Sequence, residues 1–209
     1  MNLEQQSAAE YTSGPLLVLA GPGTGKTTTL VGRYKFLLGQ KTNPKKIICC
    51  TFSKKAADEL KLRIAASTSV PVEGLPISTF HALALRIVRS IGDEIDVPPD
   101  FEIWARDFER IKIIKQLQKP VQQAEFYKDV DEEDKSAKAA LAYIDSVREE
   151  LLDPEDASIR AAEQNNKAHV AHSEVYAAYD EYLNKENKID FPRMVQLACK
   201  ALLKNVENR

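Results

Sequence analysis

The sequence lacks the features that mark membrane proteins and disulfide-rich secreted proteins. Its apolar stretch at residues 16–20 is far shorter than the roughly 20 residues that a membrane-spanning helix needs, and no charged-then-apolar secretion signal precedes it. Only three of the 209 residues are cysteine, without the CxxC spacing of redox or zinc motifs. We therefore expect reduced, structural cysteines and a cytoplasmic protein that has no membrane partner.

A strong net charge is missing as well, because 29 lysine and arginine residues nearly balance 31 aspartate and glutamate residues. The two signs are unevenly distributed along the chain. Residues 1–95 hold 12 basic and 7 acidic side chains, a balance of +5, whereas the remainder holds 17 basic and 24 acidic ones, a balance of −7. The first half can therefore offer a phosphate-binding surface, although charged runs are also typical of ordinary solvated faces.

The first half alternates short apolar runs with amphipathic helical patterns, and 44% apolar content is ample for a buried core. The predicted strands are residues 16–20, 47–52 and 75–79, and the predicted helices are residues 26–38, 54–66 and 80–90. This order is typical of a parallel sheet covered by helices, with residues 16–20 as a buried strand. We therefore expect an α/β fold.

The second half is predicted to be all-helical. The segment VPPD at residues 97–100 is a stiff connector, because proline ends helices. Asp153 and Asp190 each precede a first turn that contains proline, where aspartate is a suitable amino-terminal cap. The predicted helices are residues 107–118, 132–151, 154–164, 168–185 and 192–204.

A glycine-rich loop lies between the first predicted strand and the first predicted helix. Glycines let the backbone turn several N–H groups toward one phosphate, and the helix amino terminus adds positive potential. In the pattern GxxxxGK[ST], the lysine contacts the outer phosphates and the hydroxyl binds Mg²⁺. Lys26 and Thr27 are therefore the predicted catalytic residues toward ATP, with Thr27 as the Mg²⁺ ligand. The predicted ATP-binding loop comprises Ala20, in place of the usual first glycine, and Gly21, Pro22, Gly23, Thr24, Gly25, Lys26, Thr27 and Thr28.

The residues that flank this loop resemble superfamily 1A DNA helicases of the UvrD, Rep and PcrA type. MNLEQ at residues 1–5 is similar to the Q motif LNxxQ of that family, with Met1 in place of the opening leucine. In that family the glutamine reads adenine through its amide, which donates and accepts at once, and an arginine lies beside the base. The resemblance implies these roles for Gln5 and Arg33. By themselves, both residues can equally belong to an ordinary surface.

Two further motifs resemble the segments of this family that contact single-stranded DNA. TFSKKAA at residues 51–57 is similar to motif Ia (TFTNKAA), and TFHALA at residues 79–84 is similar to motif Ib (TFHSLA). Each motif follows a predicted strand, and open α/β sheets bind ligands at the carboxyl ends of their strands. Apart from the motifs, a core position for Phe52 and a capping role for His81 are the alternatives. The resemblance implies DNA contacts by Thr51, Phe52, Lys54 (where the family has asparagine), Thr79, Phe80 and His81.

The resemblance extends into the second half. PDFEI at residues 99–103 is similar to the start of the helical subdomain 1B, and KIDF at residues 188–191 is similar to the return to domain 1A. The implied fold is a RecA-like P-loop NTPase, with helices on both faces of a parallel sheet and an inserted all-helical subdomain. The expected domains are residues 1–96 for the first part of 1A, 97–187 for 1B and 188–209 for the return segment.

Two histidines in the second half, His169 and His172, lie three residues apart on a predicted helix. Such a pair can in principle share a metal ion. Since the sequence offers no cysteine or acidic partner at useful spacing, a solvated helix face is the preferred interpretation.

The acidic DExxQ sequence, which holds Mg²⁺ and orients water in this family, does not occur in residues 191–209. We therefore expect the amino-terminal part of an ATP-dependent 3′–5′ DNA helicase of repair or replication, which binds ATP weakly by itself and hydrolyses it negligibly. The expected partners are single-stranded DNA and single/double-strand junctions, and the oligomeric state stays open. The alternatives are the motor part of a RecB/AddA-type helicase-nuclease and a nucleotide-dependent interaction module.

Overall fold

The computed structural model describes residues 1–95 and 97–207 of the chain. They divide into two compact units, Met1–Leu83 and Ala84–Arg209, and each unit has its own buried core. The described residues form nine α-helices and four short strands, and the strands pair into two separate parallel sheets. The protein is therefore a mixture of helices and small parallel sheets.

The first unit surrounds a two-stranded sheet. Strands β1 and β2 are parallel, with Cys49 opposite Ile77 and Thr51 opposite Thr79. The helices predicted from residues 26, 54 and 80 begin where the sequence places them. The elements are α1 (Leu3–Glu10), α2 (Lys26–Gly39), β1 (Cys49–Thr51), α3 (Lys54–Ser67), β2 (Ile77–Thr79) and α4 (Phe80–Ile91), and α4 continues into the second unit.

Both strands of this sheet lead directly into a capped helix. The Ser53 hydroxyl accepts a hydrogen bond from the backbone N–H of Ala56 at 3.2 Å, and the Thr79 hydroxyl accepts one from Ala82 at 3.2 Å. Such caps satisfy backbone donors that the first helical turn leaves free. The apolar faces of the helices close over the sheet in a core of Tyr34, Ile47, Cys49, Ala57, Leu60, Ile64, Leu75 and Ile77.

The prediction of a buried strand at residues 16–20 is wrong. No strand is assigned there in the described part of the chain, and Leu17 is 81% exposed and Leu19 86% exposed. A buried strand needs hydrogen-bonding neighbours along its edges and cover over its faces. In this structure β1 and β2 pair with each other instead. An apolar run indicates that a segment favours burial, but it does not determine whether another strand lies beside that segment to pair with it.

The second unit contains a small sheet that the sequence analysis missed. Strands β3 and β4 are parallel, with Glu102 opposite Lys188 and Trp104 opposite Asp190, so the expectation of an all-helical second half is wrong here. Three-residue strands are too short to show a period, and their pairing joins distant parts of the chain. The elements are β3 (Glu102–Trp104), α5 (Asp107–Val121), α6 (Ala137–Glu149), α7 (Pro154–Glu163), α8 (Lys167–Lys185), β4 (Lys188–Asp190) and α9 (Phe191–Glu207).

The predicted aspartate caps of the second unit are confirmed. Asp153 accepts a hydrogen bond from the N–H of Asp156 at 3.1 Å and forms a capping box with it at the start of α7. Asp190 accepts one from the N–H of Arg193 at 3.0 Å at the start of α9. Helix α6, by contrast, begins at Ala137 rather than at residue 132.

A buried ionic cluster centres on Asp190, and we call it the Asp190 cluster. Both carboxylate oxygens of Asp190 accept hydrogen bonds from Arg148 at 2.9 Å, and one of them also accepts from Arg110 at 3.0 Å and from the Tyr179 hydroxyl at 2.9 Å. Burial raises the pKa of Asp190, but the two guanidinium charges outweigh burial and hold that pKa below its usual range. The cluster ties α5, α6 and α8 to the junction of β4 and α9.

The three cysteines are free thiols. Cys49 is buried, whereas Cys50 and Cys199 are half-buried. Burial, with a smaller contribution from Cys50, raises the pKa of Cys49 to about 11, so this thiol stays protonated at neutral pH. None of the helices in the described ranges has the length and apolarity to cross a membrane. The cytoplasmic location stays a prediction.

Candidate nucleotide-binding and nucleic-acid-binding site

The glycine-rich loop adopts a backbone that needs glycine at two positions. Gly23 has φ = +75° and Gly25 has φ = +86°, both in the left-handed region that other residues rarely adopt. A Cβ atom on Gly25 would also lie 2.7 Å from the amide nitrogen of Gln5. The loop then enters α2 at Lys26, where the Gly25 carbonyl accepts the first helical hydrogen bond from Thr29 at 3.0 Å.

The amine of Lys26 lies against the loop itself. Its Nζ donates to the carbonyl oxygens of Ala20 at 2.9 Å and Gly21 at 2.6 Å, and the Thr24 hydroxyl also donates to Gly21 at 2.8 Å. Neutral carbonyls leave the full positive charge of the amine available to an anion. Thr27 is exposed in the first turn of α2, where the helix amino terminus favours negative charge.

A cavity of about 900 Å³ opens beside the loop, within the first unit. It brings together six of the predicted ATP-binding residues: Gln5, Ala20, Gly21, Thr24, Lys26 and Arg33. Pockets of this size with a few convergent polar groups are typical of small-molecule sites. The other predicted ATP-binding residues do not line it: Pro22, Gly23, Gly25, Thr27 and Thr28. The amine of Lys26 and the amino terminus of α2 fit a phosphate group. The exposed hydroxyl of Thr27, next to Lys26 in the sequence, has the oxygen chemistry of a Mg²⁺ ligand. The cavity is also lined by four residues that were not predicted as site residues from the sequence: Asn2, Tyr11, Thr29 and Leu30.

Helix α1 holds Gln5 at the loop. Asn2 caps this helix by accepting from the N–H of Gln5 at 2.8 Å, and the Gln5 side-chain oxygen accepts in return from the N–H of Asn2 at 3.0 Å. The side-chain amide nitrogen of Gln5 donates to the carbonyl of Thr24 at 2.8 Å. Helix α1 was not predicted from the sequence, although the spacing of Asn2 and Gln5 is that of a capping box, the local signal that could have revealed it.

Arg33 lines the cavity but is also bonded to the end of α1. Its guanidinium donates to the carbonyl of Ala9 at 3.1 Å and to the carbonyl of Tyr11. These carbonyls belong to the last turn and the cap of α1, where helical acceptors lack partners. Arg33 therefore fixes α1 on α2, a function that the sequence analysis missed.

The predicted DNA-binding residues gather where β1 and β2 end. Because Thr51 lies opposite Thr79, the phenylalanines that follow them, Phe52 and Phe80, stand at the same edge of the sheet. Phe52 is fully exposed and Phe80 is 64% exposed, which excludes the alternative of Phe52 as a core residue. Lys54 and His81 are exposed in the first turns of the two helices that follow. Exposed aromatic rings beside a lysine are suited to base stacking and phosphate contacts.

The entire chain, residues 1–209, matches the family described as UvrD/REP helicase N-terminal domain. The chain belongs to this family. Among its curated relatives, the ATP-dependent DNA helicase PcrA of Leuconostoc citreum is 34% identical over 94% of this chain, that of Bacillus subtilis 32% over 96%, and that of Staphylococcus aureus 30% over 93%. The chain spans only about a quarter of the length of these relatives, 25%, 26% and 25% respectively.

The family that was predicted from the helicase-like motifs is thereby confirmed. In this UvrD/REP-family chain, the motif residues come together at two places in the first unit: the cavity beside the loop and the sheet edge with Phe52 and Phe80.

The histidine pair of the second unit is not a solvated face, and that prediction is wrong for His172. His172 is buried, its Nε2 lies 2.8 Å from the carbonyl of Asp134, and its ring lies 5.5 Å from that of Tyr143. His169 Nδ1 faces Gln164 Oε1 at 3.1 Å instead. Among the described residues, no three histidine, cysteine or acidic side chains are grouped to hold a metal ion. The helical period of α8 places His172 in an apolar stripe with Ala168, Ala171, Val175 and Tyr179, which is the signal the sequence analysis overlooked.

We predict that His172 makes the protein less stable in mild acid. Burial lowers the pKa of His172, despite the opposing contribution of Asp134, because a second ring proton would lie on Nδ1, which has no hydrogen-bond partner among the described residues. In the unfolded chain histidine takes up its proton near pH 6.5, so the unfolded state binds more protons below that value and stability falls as the pH falls.

Urea denaturation at about pH 7.5 and about pH 5.5 measures this loss, which is at most about 1.4 kcal/mol per pH unit for one proton. His172→Gln retains a donor for the Asp134 carbonyl and should lose less stability over this interval. His169→Gln, on the same helix, is the control and should keep the wild-type pH dependence. An equal pH dependence for wild type and His172→Gln would contradict the prediction.

Proposed function

We propose that this chain is the ATP-binding amino-terminal part of an ATP-dependent 3′–5′ DNA helicase that acts in DNA repair or replication. The observation that carries the proposal is the cavity in which Gly21, Thr24 and Lys26 of the glycine-rich loop are brought together with Gln5 and Arg33. The names of the relatives, ATP-dependent DNA helicase PcrA, support this function for the longer protein.

In the proposed site, different residues bind different parts of the nucleotide. The loop N–H groups and Lys26 hold the outer phosphates, the hydroxyl of Thr27 binds Mg²⁺, and Gln5 and Arg33 lie beside the base. ATP as substrate would supply the phosphoanhydride bond whose cleavage drives movement, and Mg²⁺ would offset the negative charge of its phosphates. The residues of this chain bind and orient both. We propose that the acidic groups that activate water lie outside residues 1–209, so ATP turnover by this chain alone is negligible.

We also propose that these elements belong to a RecA-like P-loop domain. Residues 1–96 form the first part of domain 1A, residues 97–187 form subdomain 1B, and residues 188–209 return to 1A.

Single-stranded DNA is the proposed partner of the sheet edge, with the strand reaching a single/double-strand junction in the complete helicase. Phe52 and Phe80 offer two exposed ring faces at paired strand ends. Stacking is tolerant of sequence because every base has a flat face, as a translocase requires. Thr51, Lys54, Thr79 and His81 lie beside the rings and supply polar contacts to the backbone.

We predict that Phe52→Ala and Phe80→Ala each weaken the binding of single-stranded DNA. One base stacked on an aromatic ring contributes about 1–3 kcal/mol, so each change should weaken binding at least about 5-fold. Fluorescence anisotropy with a labelled oligothymidine, at fixed salt, measures the dissociation constant.

Phe108→Ala is the matched control for this experiment. Phe108 is 64% exposed, like Phe80, but it lies on α5 of the second unit, so its removal should leave DNA binding unchanged. Equal losses for all three variants would indicate non-specific binding. If wild type does not bind the oligonucleotide at all, the interaction-module alternative is favoured over a motor.

A further inference from the structure

We propose that Gln5 is a positioning residue for the phosphate loop, in addition to its proposed role toward the base. Through Thr24, the Gln5 amide holds the loop in the shape that grips phosphate, so one side chain links the recognition of the base to the grip on the phosphates. This inference rests on the proposed ATP-binding function.

A continuous chain of hydrogen bonds runs from helix α1 to Lys26. Gln5 donates to the carbonyl of Thr24 at 2.8 Å, and the Thr24 hydroxyl donates to the carbonyl of Gly21 at 2.8 Å. The same Gly21 carbonyl accepts from Lys26 at 2.6 Å. Gln5 is therefore bonded to the middle of the loop whose two ends are joined by Lys26.

The chemistry of the amide allows both roles at once. A glutamine side chain has two N–H donors and an oxygen with two lone pairs. In this structure one N–H is given to Thr24 and one lone pair accepts from Asn2. One donor and one acceptor remain on the side chain that lines the cavity, which is the pair that an adenine edge requires.

Helix α1 is held firmly enough to act as the support. Arg33 binds the carbonyls of Ala9 and Tyr11 at its end. At Gly32, a Cβ atom would lie 2.5 Å from the sulfur of Met1 and 3.5 Å from Cβ of Ala9, so α1 lies directly on α2 at a position that has no side chain. The amide of Gln5 is thus connected to α2 independently of the loop.

The hydrogen bond from Gln5 restricts the conformational freedom of the glycine-rich loop. Gly21, Gly23 and Thr24 are exposed, and the positive φ angles of Gly23 and Gly25 belong to residues with high conformational freedom. A loop that is already ordered loses less freedom when a phosphate binds, and this raises affinity. The support of Gln5 should therefore increase phosphate affinity even when no base is present.

Inorganic tripolyphosphate tests the inference, because it has phosphates but no base. We expect Gln5→Ala to weaken the binding of magnesium tripolyphosphate by about 5-fold or more, in line with the loss of one hydrogen bond near a charged ligand. Isothermal titration calorimetry with tripolyphosphate and with ATP measures both affinities. Gln5→Met, which keeps the length and packing of the side chain, should show the same loss.

Gln6→Ala is the matched control. Gln6 is the neighbouring residue on α1 and donates to Glu10 at 2.9 Å, away from the loop, so its removal should leave tripolyphosphate binding unchanged. Unchanged tripolyphosphate binding by Gln5→Ala, with weaker ATP binding, would overturn the inference and leave the proposed function intact. Binding of ATP but not of tripolyphosphate by wild type would overturn it as well. If wild type binds neither, the proposed function itself is contradicted.

Discussion

Replacing Asp190 with asparagine is expected to lower the free energy of unfolding of the second unit by about 3–5 kcal/mol. The carboxylate is fully buried and accepts from Arg148, Arg110 and Tyr179. Loss of its charge leaves two buried guanidinium groups that have each lost their central counter-ion. Since the total free energy of unfolding of a small domain is about 5–15 kcal/mol, this substitution removes a large part of it.

The remaining acids compensate only in part. Arg110 retains its ion pair with Asp145, and Arg148 retains Asp180 at 3.0 Å, but both of these carboxylates lie closer to solvent than Asp190. Burial raises the pKa of Asp145, against the opposing hydrogen bond and charge of Arg110. Asp145 is already paired with Arg110 in the wild type, so it adds no new charge in place of that of Asp190. Without Asp190, the two guanidinium groups also repel each other across a medium that screens charge weakly.

Urea denaturation followed by circular dichroism measures the effect, and Glu150→Gln is the control. Glu150 forms an ion pair with Arg160 on the surface of the same unit, where solvent screens the charges and little change in stability is expected. A loss for Asp190→Asn as small as that for Glu150→Gln would show that the Asp190 cluster does not stabilise the fold.

Replacing Lys26 with alanine is expected to weaken the binding of magnesium ATP by about 10- to 100-fold, the effect of losing charge-assisted hydrogen bonds to phosphate. In this structure the amine lies at the loop against the carbonyls of Ala20 and Gly21. A phosphate is a stronger partner for an ammonium group than a carbonyl, so the amine should exchange these contacts for the nucleotide.

Isothermal titration calorimetry with ATP measures this loss. Lys35→Ala is the control, because Lys35 is exposed on the same helix and does not line the cavity, so its removal should leave ATP affinity unchanged. Equal affinities for wild type and Lys26→Ala would contradict the proposed phosphate site. Strong DNA-stimulated ATP hydrolysis by the wild-type chain would contradict the proposal that the water-activating acids lie elsewhere.

The sequence was a reliable guide at several places where the signal is local. The glycine-rich loop, the start of α2 at Lys26 and the caps Asp153 and Asp190 depend on residues a few positions apart, whose backbone preferences act in any surroundings. For the same reason the motifs at Thr51 and Thr79 indicate where the strands end and the helices begin.

The prediction was wrong where the outcome depends on residues distant in sequence. Residues 16–20 are apolar enough for a core strand, yet in this structure no strand pairs with them in the described part of the chain. The pairing of β3 with β4 joins segments that are more than 80 residues apart in the sequence. The hydrogen bond from Arg110 to Asp190 likewise joins residues that are 80 positions apart. No short sequence window contains both partners.

By itself, the sequence predicted the family, the glycine-rich loop and the residue types that we propose bind a nucleotide and a DNA strand. Only the tertiary structure decided that Gln5 bonds to Thr24, that Arg33 holds the end of α1, and that Asp190 is the buried counter-ion of two arginines. The physical reason is that backbone preference is a property of neighbouring residues, whereas burial and hydrogen-bond partners are set by where distant segments meet.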